Sequence, residues 1–288
     1  MTTQIGLPTI AFVMASFNRR ETTLRSLSSL YDQEGLSKRW NIEVFLLDDA
    51  SPDGTALAVL EAHADVNLLQ GTGALFWGGG MSRAMVAAAQ TNPDFVVLFN
   101  DDVILERDAV VRVLSEHAEA VAAANNPMQV IVGPTIDPVT GDISYSGFAR
   151  THRYDPSKIV RLLPSPTCLT SCDTMNGNFV MIPSAVFRSI GLIDMTFIHQ
   201  LGDLDYGYRV RAAGGGVWIS RRSVGTCPPN SRVPPWRKPG LGLIGRWRAL
   251  NTPLGLPLRP WFTFMWRWGG VVATFRLVVI YCIRMIGR

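Results

Sequence analysis

The sequence has no acidic residue after Asp205, and this absence divides the chain electrostatically. Residues 206–288 contain 14 basic residues, all arginine except Lys238, whereas residues 1–205 carry 13 basic and 23 acidic residues. The formal net charge of +4 therefore hides an acidic N-terminal part and a strongly basic C-terminal part. Such an asymmetry predicts that the C-terminal part meets an anionic surface, either a lipid bilayer or a nucleic acid.

Cysteine is also scarce. The chain has only four cysteines, at positions 168, 172, 227 and 282, which are too few to indicate a disulfide framework in a chain of 288 residues. Cys168 and Cys172 have no second pair of cysteines that would complete a zinc site. Residues 1–8 lack the basic region and apolar core of a signal peptide. These features predict a cytoplasmic location with reduced thiols. A hydrophobic content of 47% excludes a disordered chain.

The C-terminal part is rich in tryptophan, with five of the eight located between residues 236 and 268. Tryptophan and arginine beside apolar runs are typical of a membrane interface, which favours lipid over nucleic acid. A spanning helix needs about 20 apolar residues, and Arg276 interrupts the candidate run between Arg267 and Arg284. We therefore expect residues 227–288 to form an extension that is peripheral to the inner face of the cell membrane. The alternatives are packing on the rest of the chain and formation of a homodimer.

Apolar runs alternate with helical patterns through the N-terminal half. Continuously apolar strands that alternate with helices indicate a mainly parallel α/β sheet covered on both faces. The sequence "QGTGALFWGGGM" predicts a glycine-rich loop, followed by a helix that Ser82 caps. The predicted strands are Ile10–Ala15, Ile42–Leu47, Val66–Leu69 and Phe95–Phe99, and the predicted helices cover about 21–31, 55–64, 82–90 and 107–124.

The second half is less regular. Residues 135–174 predict loops with short strands, and the many prolines and glycines of residues 227–260 argue against regular packing. Between these segments the predicted elements are a strand at Phe179–Ile182, helices at Ser184–Ile190 and about 203–213, and a strand at Val217–Ile219.

Three predicted strands end in polar residues, at 16–18, 48–49 and 100–102. In sheets of this kind ligands bind beyond the carboxyl ends of the strands. The adjacent carboxylates of Asp101 and Asp102 repel each other, so a divalent cation completed by substrate phosphates would stabilise them. The alternative is that these acids cap the next segment or face water.

Two further acidic pairs have a functional and a structural interpretation. Asp48 and Asp49 could accept hydrogen bonds from a nucleobase or ribose, or could be turn residues in "DDASPDGT". Asp203 and Asp205 in "GDLDYGYR" could include a general base for an acceptor hydroxyl, or could simply favour the start of a helix. His152 and His199 have no metal or triad spacing and are interpreted as structural.

Four stretches in order resemble the family 2 glycosyltransferases of GT-A fold: "IAFVMASFNRRETTLRSLSSL", "VFLLDDASPDGT", "LFNDDV" and "GDLDYGYRVRAAGG". They correspond to the opening strand with its nucleotide-contacting turn, the nucleotide-binding acidic segment, the metal-binding acidic motif and the catalytic-base motif. The resemblance covers about residues 8–226, and it lies in the order and spacing of the motifs. Two positions depart from the pattern, because Gly202 replaces the usual glutamate and Asn100 occupies the first position of the metal motif.

The resemblance implies a role for each matching residue. Asp203 would be the catalytic base, and Asp102 would be the ligand of Mg²⁺ or Mn²⁺. The residues that would contact the nucleotide sugar are Ala15, Phe17, Asp48, Asp49, Gly78, Gly79, Gly80 and Asp101, with Asp49 on the base and Asp101 close to the sugar or the metal.

The implied reaction is a single displacement that moves a sugar from a nucleotide-diphosphate sugar to a hydroxyl of a glycan or polyprenyl-diphosphate-linked glycan, with inversion. "FWGGGM" and "GDLDYG" also resemble bacterial enzymes of cell-surface polysaccharide (O-antigen) synthesis, including rhamnosyltransferases. The implied organisation is a catalytic domain at 1–226, with a nucleotide-binding half at about 1–134 and an acceptor-binding half at about 135–226.

Two rival functions follow from the same features. A sugar nucleotidyltransferase would carry a glycine-rich basic loop after the first strand, but the chain has "SFNRRETT" there, with no glycine. A membrane-associated binding protein that has lost catalysis is the second rival, because Gly202 replaces the expected glutamate.

Overall fold

The computed structural model describes residues 6–230 and 233–286, which form 15 strands, eight α-helices and one 3₁₀ turn at Pro235–Arg237. The helices are α1 (Arg20–Tyr31), α2 (Thr55–Ala62), α3 (Phe76–Ala89), α4 (Ala109–Ala124), α5 (Ser184–Ile190), α6 (Gly202–Ala212), α7 (Leu243–Leu250) and α8 (Leu258–Met285). The strands are β1 (Thr9–Ser16), β2 (Asn41–Asp48), β3 (Asn67–Gln70), β4 (Phe95–Phe99), β5 (Ile104–Leu105), β6 (Gln129–Val132), β7 (Thr135–Ile136), β8 (Ile143–Tyr145), β9 (Gly147–Arg150), β10 (Ile159–Arg161), β11 (Thr170–Ser171), β12 (Thr174–Met175), β13 (Phe179–Pro183), β14 (Gly216–Ile219) and β15 (Gly225–Thr226).

Eight strands form one mixed sheet in the order β11-β14-β6-β13-β4-β1-β2-β3. The strands β3, β2, β1 and β4 are parallel neighbours, and β13 is antiparallel to both β4 and β6. Smaller sheets, β5-β15-β7-β8 and β10-β9-β12, accompany the large one. The predicted α/β sheet flanked by helices is confirmed.

Both faces of the large sheet are covered, which explains why its central strands are apolar throughout. Successive residues of a strand point to opposite faces. Ile10, Phe12 and Met14 of β1 belong to one core cluster, with side chains of α1, α2 and α4. Ala11 and Val13 belong to a second cluster, with side chains of α3, α5 and α6.

A third core cluster joins the C-terminal helices to α6 and the segment before it. Phe197, Tyr208, Leu250, Phe264 and Leu277 are all buried in this cluster. Contrary to the prediction that residues 227–260 do not pack regularly, this segment contains the helix α7 and buries Leu250 and Leu256 in the third core cluster. A helix of eight residues is only marginally stable in isolation, so the packing of Leu250 in the third core cluster stabilises α7. This packing is not evident from the local sequence.

Asp205 holds the elements of the third core cluster together through an ionic network. Its side chain is fully buried and accepts hydrogen bonds from Arg209 Nε at 2.8 Å, Arg267 Nη1 at 2.7 Å and Trp268 Nε1 at 2.9 Å. The last two donors lie in α8, just before the helix bends at Gly270, whose φ of 62° and ψ of −153° are not helical. A buried charge must be paired and hydrogen-bonded, so Asp205 holds α8 against α6.

The predicted glycine-rich loop is wrong in its second half, because α3 begins at Phe76 and contains all three consecutive glycines. Ser82 does not cap this helix, since its hydroxyl is buried and donates to Ile193 O at 2.9 Å. A Cβ on Gly78 would overlap the carbonyl oxygen of Phe197, and one on Gly80 would lie 2.7 Å from Ala15 Cβ. The glycines therefore let α3 approach β1 and the 197–198 segment closely.

This packing predicts different effects of two neighbouring substitutions. Gly78→Ala should lower the free energy of unfolding by about 1–3 kcal/mol, because the added methyl group meets backbone. Gly79→Ala is the matched control, since its Cβ would lie 3.4 Å from Leu75 Cβ and alanine favours a helix by up to about 1 kcal/mol. Urea denaturation of both variants measures the difference, and equal stability would contradict the packing argument.

Candidate active site

The carboxyl ends of β1, β2 and β4 bring three polar segments to one edge of the sheet. Ser16 pairs in register with Asp48, and the Asp49 N–H donates to Ser16 O at 2.9 Å. Because β4 is the other parallel neighbour of β1, residues 100–102 follow it at the same edge. The grouping predicted from the three strand ends is therefore present in the fold.

Arg19 forms ion pairs with both carboxylates of the acidic pair that follows β4. Its Nη1 lies 3.0 Å from Asp101 Oδ1 and 2.6 Å from Asp102 Oδ2. Burial raises the pKa of Asp101 to about 6, and the neighbouring Arg19 opposes that shift. Sequence reasoning did not identify Arg19, although its position just after the polar end of β1, in "SFNRR", could have indicated it.

The same pair fits a divalent cation by its donor chemistry. Mg²⁺ in proteins is usually held by one or two carboxylates together with substrate phosphates, and Asp101 and Asp102 supply such oxygens. Within the described residues, no group of three or more histidine, cysteine or acidic side chains could hold a metal by itself. Cys227 donates its thiol hydrogen to Asp102 Oδ1 at 3.3 Å, and burial raises the pKa of this thiol, so it remains protonated.

Asp49 is saturated by backbone donors. Its carboxylate accepts hydrogen bonds from the N–H groups of Thr72 at 3.0 Å, Gly73 at 2.8 Å, Leu75 at 2.8 Å and Phe76 at 3.1 Å. A carboxylate offers about four lone-pair sites. The contact that the sequence predicts between Asp49 and a nucleobase would therefore require one of these bonds to break. Holding the 72–76 turn at the start of α3 is the role that the structure shows.

Asp48, in contrast, has a carboxylate oxygen that can accept a further hydrogen bond. Its Oδ2 accepts the Ser51 N–H at 3.1 Å, while its buried Oδ1 has no hydrogen-bond partner in the part of the chain that the structure describes. An unsatisfied buried acceptor costs about 1–3 kcal/mol. Of the two neighbouring acids, Asp48 is thus the one that can still accept a hydrogen bond from a ligand.

Trp77 links the acidic motif after β4 to the segment that faces α6. Its Nε1 donates to Asn100 Oδ1 at 2.7 Å, and its ring packs on Gly177, where an added Cβ would lie 2.5 Å from the ring carbon Cζ2. The N–H of Gly177 in turn donates to Asp203 Oδ2 at 3.1 Å. Sequence reasoning missed Trp77, and the only signal was an aromatic residue inside the glycine-rich stretch.

Asp203 lies in the first turn of α6 and is half-buried. Its Oδ1 accepts the Leu204 N–H at 2.9 Å, and burial raises the pKa of its carboxyl group despite these hydrogen bonds. Asp205 lies two residues later, so its side chain points about 200° away around the helix, where the arginines bind it. The structure thereby separates the two acids, since only Asp203 faces the Trp77 segment.

The remaining predicted residues have mixed outcomes. Phe17 is 51% exposed at the turn after β1, whereas Ala15 contacts the α3 glycines. Gly78, Gly79 and Gly80 are all buried. The structure shows that these glycines allow close packing of α3, and their role in lining a donor pocket stays a prediction. At the position of the expected glutamate, a Cβ added to Gly202 would lie only 3.3 Å from Ile193 Cγ2 and 3.4 Å from Phe197 Cβ.

The comparisons with known proteins agree with this architecture. Residues 11–168, more than half of the chain, match the family described as Glycosyl transferase family 2. The fold is similar to that of a mannosyltransferase, PcManGT from Pyrobaculum calidifontis in complex with GDP-Man and Mn²⁺, with 16% identity, a TM-score of 0.53 and coverage of 98% of this chain and 73% of that one. It is also similar to residues 1–349 of S. aureus TarS, with 14% identity, a TM-score of 0.51 and coverage of 91% and 74%. No curated protein matches the chain in sequence.

The arrangement of Arg19 predicts how metal binding responds to substitution. Arg19→Gln should lower the melting temperature without metal, because two carboxylates lose their counter-charge. The same change should enlarge the increase in melting temperature that Mn²⁺ induces, because the carboxylates no longer pair with arginine. The increase should grow by on the order of 3 °C for each tenfold gain in affinity for Mn²⁺. Thermal denaturation with and without Mn²⁺ measures both effects.

Two matched variants control this experiment. Asp102→Asn should reduce the Mn²⁺ shift, since it removes a charged oxygen ligand. Arg20→Gln changes an exposed arginine next to Arg19 and should leave the shift as in the wild type. Identical Mn²⁺ responses of Arg19→Gln, Asp102→Asn and Arg20→Gln would show that the ion binds elsewhere.

Proposed function

Because the chain belongs to glycosyl transferase family 2 and is therefore a glycosyltransferase, we propose that it moves a sugar from a nucleotide-diphosphate donor to an acceptor hydroxyl with inversion. The observation that carries this proposal is the link through Trp77 between the acidic pair after β4 and Asp203 on α6. The acidic pair after β4 suits a metal ion and a diphosphate, and Asp203 suits the role of a general base. Family membership does not support the alternative of a sugar nucleotidyltransferase.

The donor would bind at the carboxyl edge of β1, β2 and β4. Asp48 has an acceptor oxygen available for the nucleotide, and Phe17 offers an exposed aromatic face at the turn after β1. The neighbour from Pyrobaculum calidifontis is described in complex with GDP-Man and Mn²⁺, which supports a nucleotide sugar as the class of donor.

Asp101 and Asp102 would hold the Mg²⁺ or Mn²⁺ ion, whose chemistry in such a site is to stabilise charge on a leaving diphosphate. Arg19 lies against both carboxylates and compensates part of their negative charge. Its guanidinium is one-third exposed, so it can move toward the phosphates when the carboxylates take another partner. When the donor binds together with its metal ion, the ion would thus replace Arg19 as the cation that pairs with Asp101 and Asp102.

Asp203 would accept the proton of the attacking hydroxyl. The N–H groups of Gly177 and Leu204 fix its carboxylate, and the raised pKa makes it a stronger base than an exposed aspartate. The glycine at position 202 does not remove this group. A binding protein without activity is the remaining alternative, and the assay of the base described below tests it.

The acceptor would approach from the segment 175–205. A cavity of about 460 Å³ lies between residues 194–201 and 251–261, with Ile198 and Trp261 among its apolar lining residues and Arg259 as a cation. Asp194 also lines the cavity, and its carboxylate is paired with Arg267 at 2.8 Å. An apolar chain next to an anionic group fits this lining, which supports a polyprenyl-diphosphate-linked glycan as acceptor. Rhamnose as the sugar, and bacterial surface polysaccharide synthesis as the setting, rest on the resemblance of "FWGGGM" and "GDLDYG" to rhamnosyltransferases.

A thermal-shift screen of nucleoside diphosphates with Mn²⁺ would identify the base of the donor, because a ligand that binds only the native state raises its apparent stability. Radiolabelled transfer from the matching nucleotide sugars would then identify the sugar. Stabilisation by none of the nucleotides would contradict the proposed donor class.

We expect Asp203→Asn to lower the rate of transfer by about 10²–10⁴-fold, because the acceptor hydroxyl loses its base. Nucleotide-induced stabilisation should remain as in the wild type, which separates catalysis from donor binding. Asp142→Asn, a change of an exposed acid in the turn between β7 and β8, is the matched control. Full activity of Asp203→Asn would remove the base assignment.

The raised pKa of Asp203 also predicts the direction of the pH dependence. Only the deprotonated carboxylate accepts a proton, so kcat/KM at saturating Mn²⁺ should rise with pH. The midpoint of that rise should lie above the ordinary aspartate pKa of about 3.9. Asp203→Glu should move this midpoint, and an unmoved midpoint would assign the titration to another group.

A further inference from the structure

The second half of α8, after the bend at Gly270, is apolar on two opposite faces. Its inner face places Ala273, Leu277 and Tyr281 in the third core cluster. Its outer face is solvent-exposed, with Val271 at 70% and Phe275 at 69% exposure. Val272, Val278, Val279 and Ile283 extend this outer face, and the exposed Ile286 follows directly after the helix. A surface helix of a soluble protein normally has a polar outer face, so this one indicates a partner.

Neighbouring elements enlarge the same kind of surface. Phe262 and Trp266 in the first half of α8 are 47% and 55% exposed and stack with an interplanar angle of 3°. Leu243, Ile244 and Trp247 of α7 are exposed as well. Exposed apolar patches of this extent mark interaction or membrane sites. We call these exposed side chains of α7 and α8 the outer apolar surface.

A basic cleft also lies next to α8. A shallow cleft of about 600 Å³ opens beside the bend of α8, where Trp268 and the basic side chains of Arg150, Arg153 and Arg211 line it. The acidic residue in this cleft, Asp173, accepts a hydrogen bond from the backbone N–H of Arg150 at 2.7 Å. Since no acidic residue follows Asp205, neither α7 nor α8 adds a negative charge that would repel an anion.

We propose that the outer apolar surface docks on an anionic lipid bilayer and that the basic cleft receives headgroup phosphates. Charge complementarity selects this occupant, because apolar and aromatic side chains beside clustered arginines suit the interface of an anionic membrane. A protein partner or a second copy would have to supply carboxylates to the arginines as well as an apolar face.

The bend decides how α8 lies in the membrane. As one length, Leu258–Met285 is long and apolar enough to cross a bilayer. Gly270 divides it into segments of about 18 Å and about 22 Å at 1.5 Å per residue, and each is shorter than the hydrocarbon core of about 30 Å. Because the inner face packs on the catalytic part, α8 lies in the interface plane.

Docking in this plane would also orient the catalytic part. Arg267 and Trp268 of α8 bind Asp205 of α6, the helix that begins beside Asp203. The candidate base therefore sits at a fixed height above the bilayer, as a lipid-linked acceptor requires. This last consequence rests on the proposed function, whereas the docking itself does not.

Vesicle flotation of the full chain tests the docking without donor or acceptor, so its outcome is separate from that of the transfer assays. The wild type should float with vesicles that contain phosphatidylglycerol, and less with pure phosphatidylcholine or at 1 M salt. Val271→Glu with Phe275→Glu should weaken binding at least tenfold. Val139→Glu, at a valine that is 88% exposed in the β7–β8 turn, is the matched control and should bind normally.

The basic cleft is tested in the same assay. Arg153→Gln and Arg211→Gln should each weaken binding by about fivefold, whereas Arg39→Gln, an exposed arginine of the α1–β2 connection, should have a smaller effect. Equal circular dichroism and melting temperatures of all variants would show that folding is unchanged. Failure of the wild type to float would overturn the proposal. A dimer that Phe275→Glu converts to monomers, without vesicle binding, would also overturn it and assign the surface to a second copy.

Discussion

The structure depends on how it compensates carboxylates that are buried around the carboxyl edge of its sheet. The partners that compensate the negative charge differ from one carboxylate to the next. Asp49 is saturated by four backbone N–H groups, Asp101 and Asp102 share Arg19, and Asp205 is held by arginines and a tryptophan. Uncompensated burial of such charges would cost several kcal/mol each. The groups with capacity to spare, above all Asp48 and Asp203, are therefore the ones available to a ligand.

The same compensation connects the site to the rest of the fold. The backbone turn that Asp49 holds is the start of α3, and this helix delivers Trp77 to Asn100 and to the segment facing Asp203. On the other side of α6, Asp205 fastens α8. The sheet edge proposed for the donor, the proposed base Asp203 and the C-terminal helices are thus connected by hydrogen bonds and packing, so docking of the C-terminal helices would orient the proposed site.

Much of the architecture could be predicted from local pattern. The strand Phe95–Phe99 and the helix Ser184–Ile190 have the bounds that the sequence predicted, because an uninterrupted apolar run and a short helical pattern are local signals. The glycines of α3 misled the prediction for a physical reason. Glycine has a low helix propensity, and only the close approach of Phe197 and Ala15 makes it the residue that fits. The backbone donors that bind Asp49 and the ion pairs of Arg19 were not predicted, because these partners lie more than 20 and 80 residues away in the sequence.

By itself the sequence determined the order of the main strands and helices up to Ile219, the acidic residues at the strand ends and the basic, acid-free C-terminal part, since these follow from residue type and spacing. Only the tertiary structure decided which acid is saturated and which is available, because that depends on the donors that distant segments bring to it. It also decided that α8 is bent and doubly apolar, since packing against the third core cluster selects the inner face. The physical reason is the same in both cases: a side chain's chemistry is local, whereas its desolvation and its partners are not.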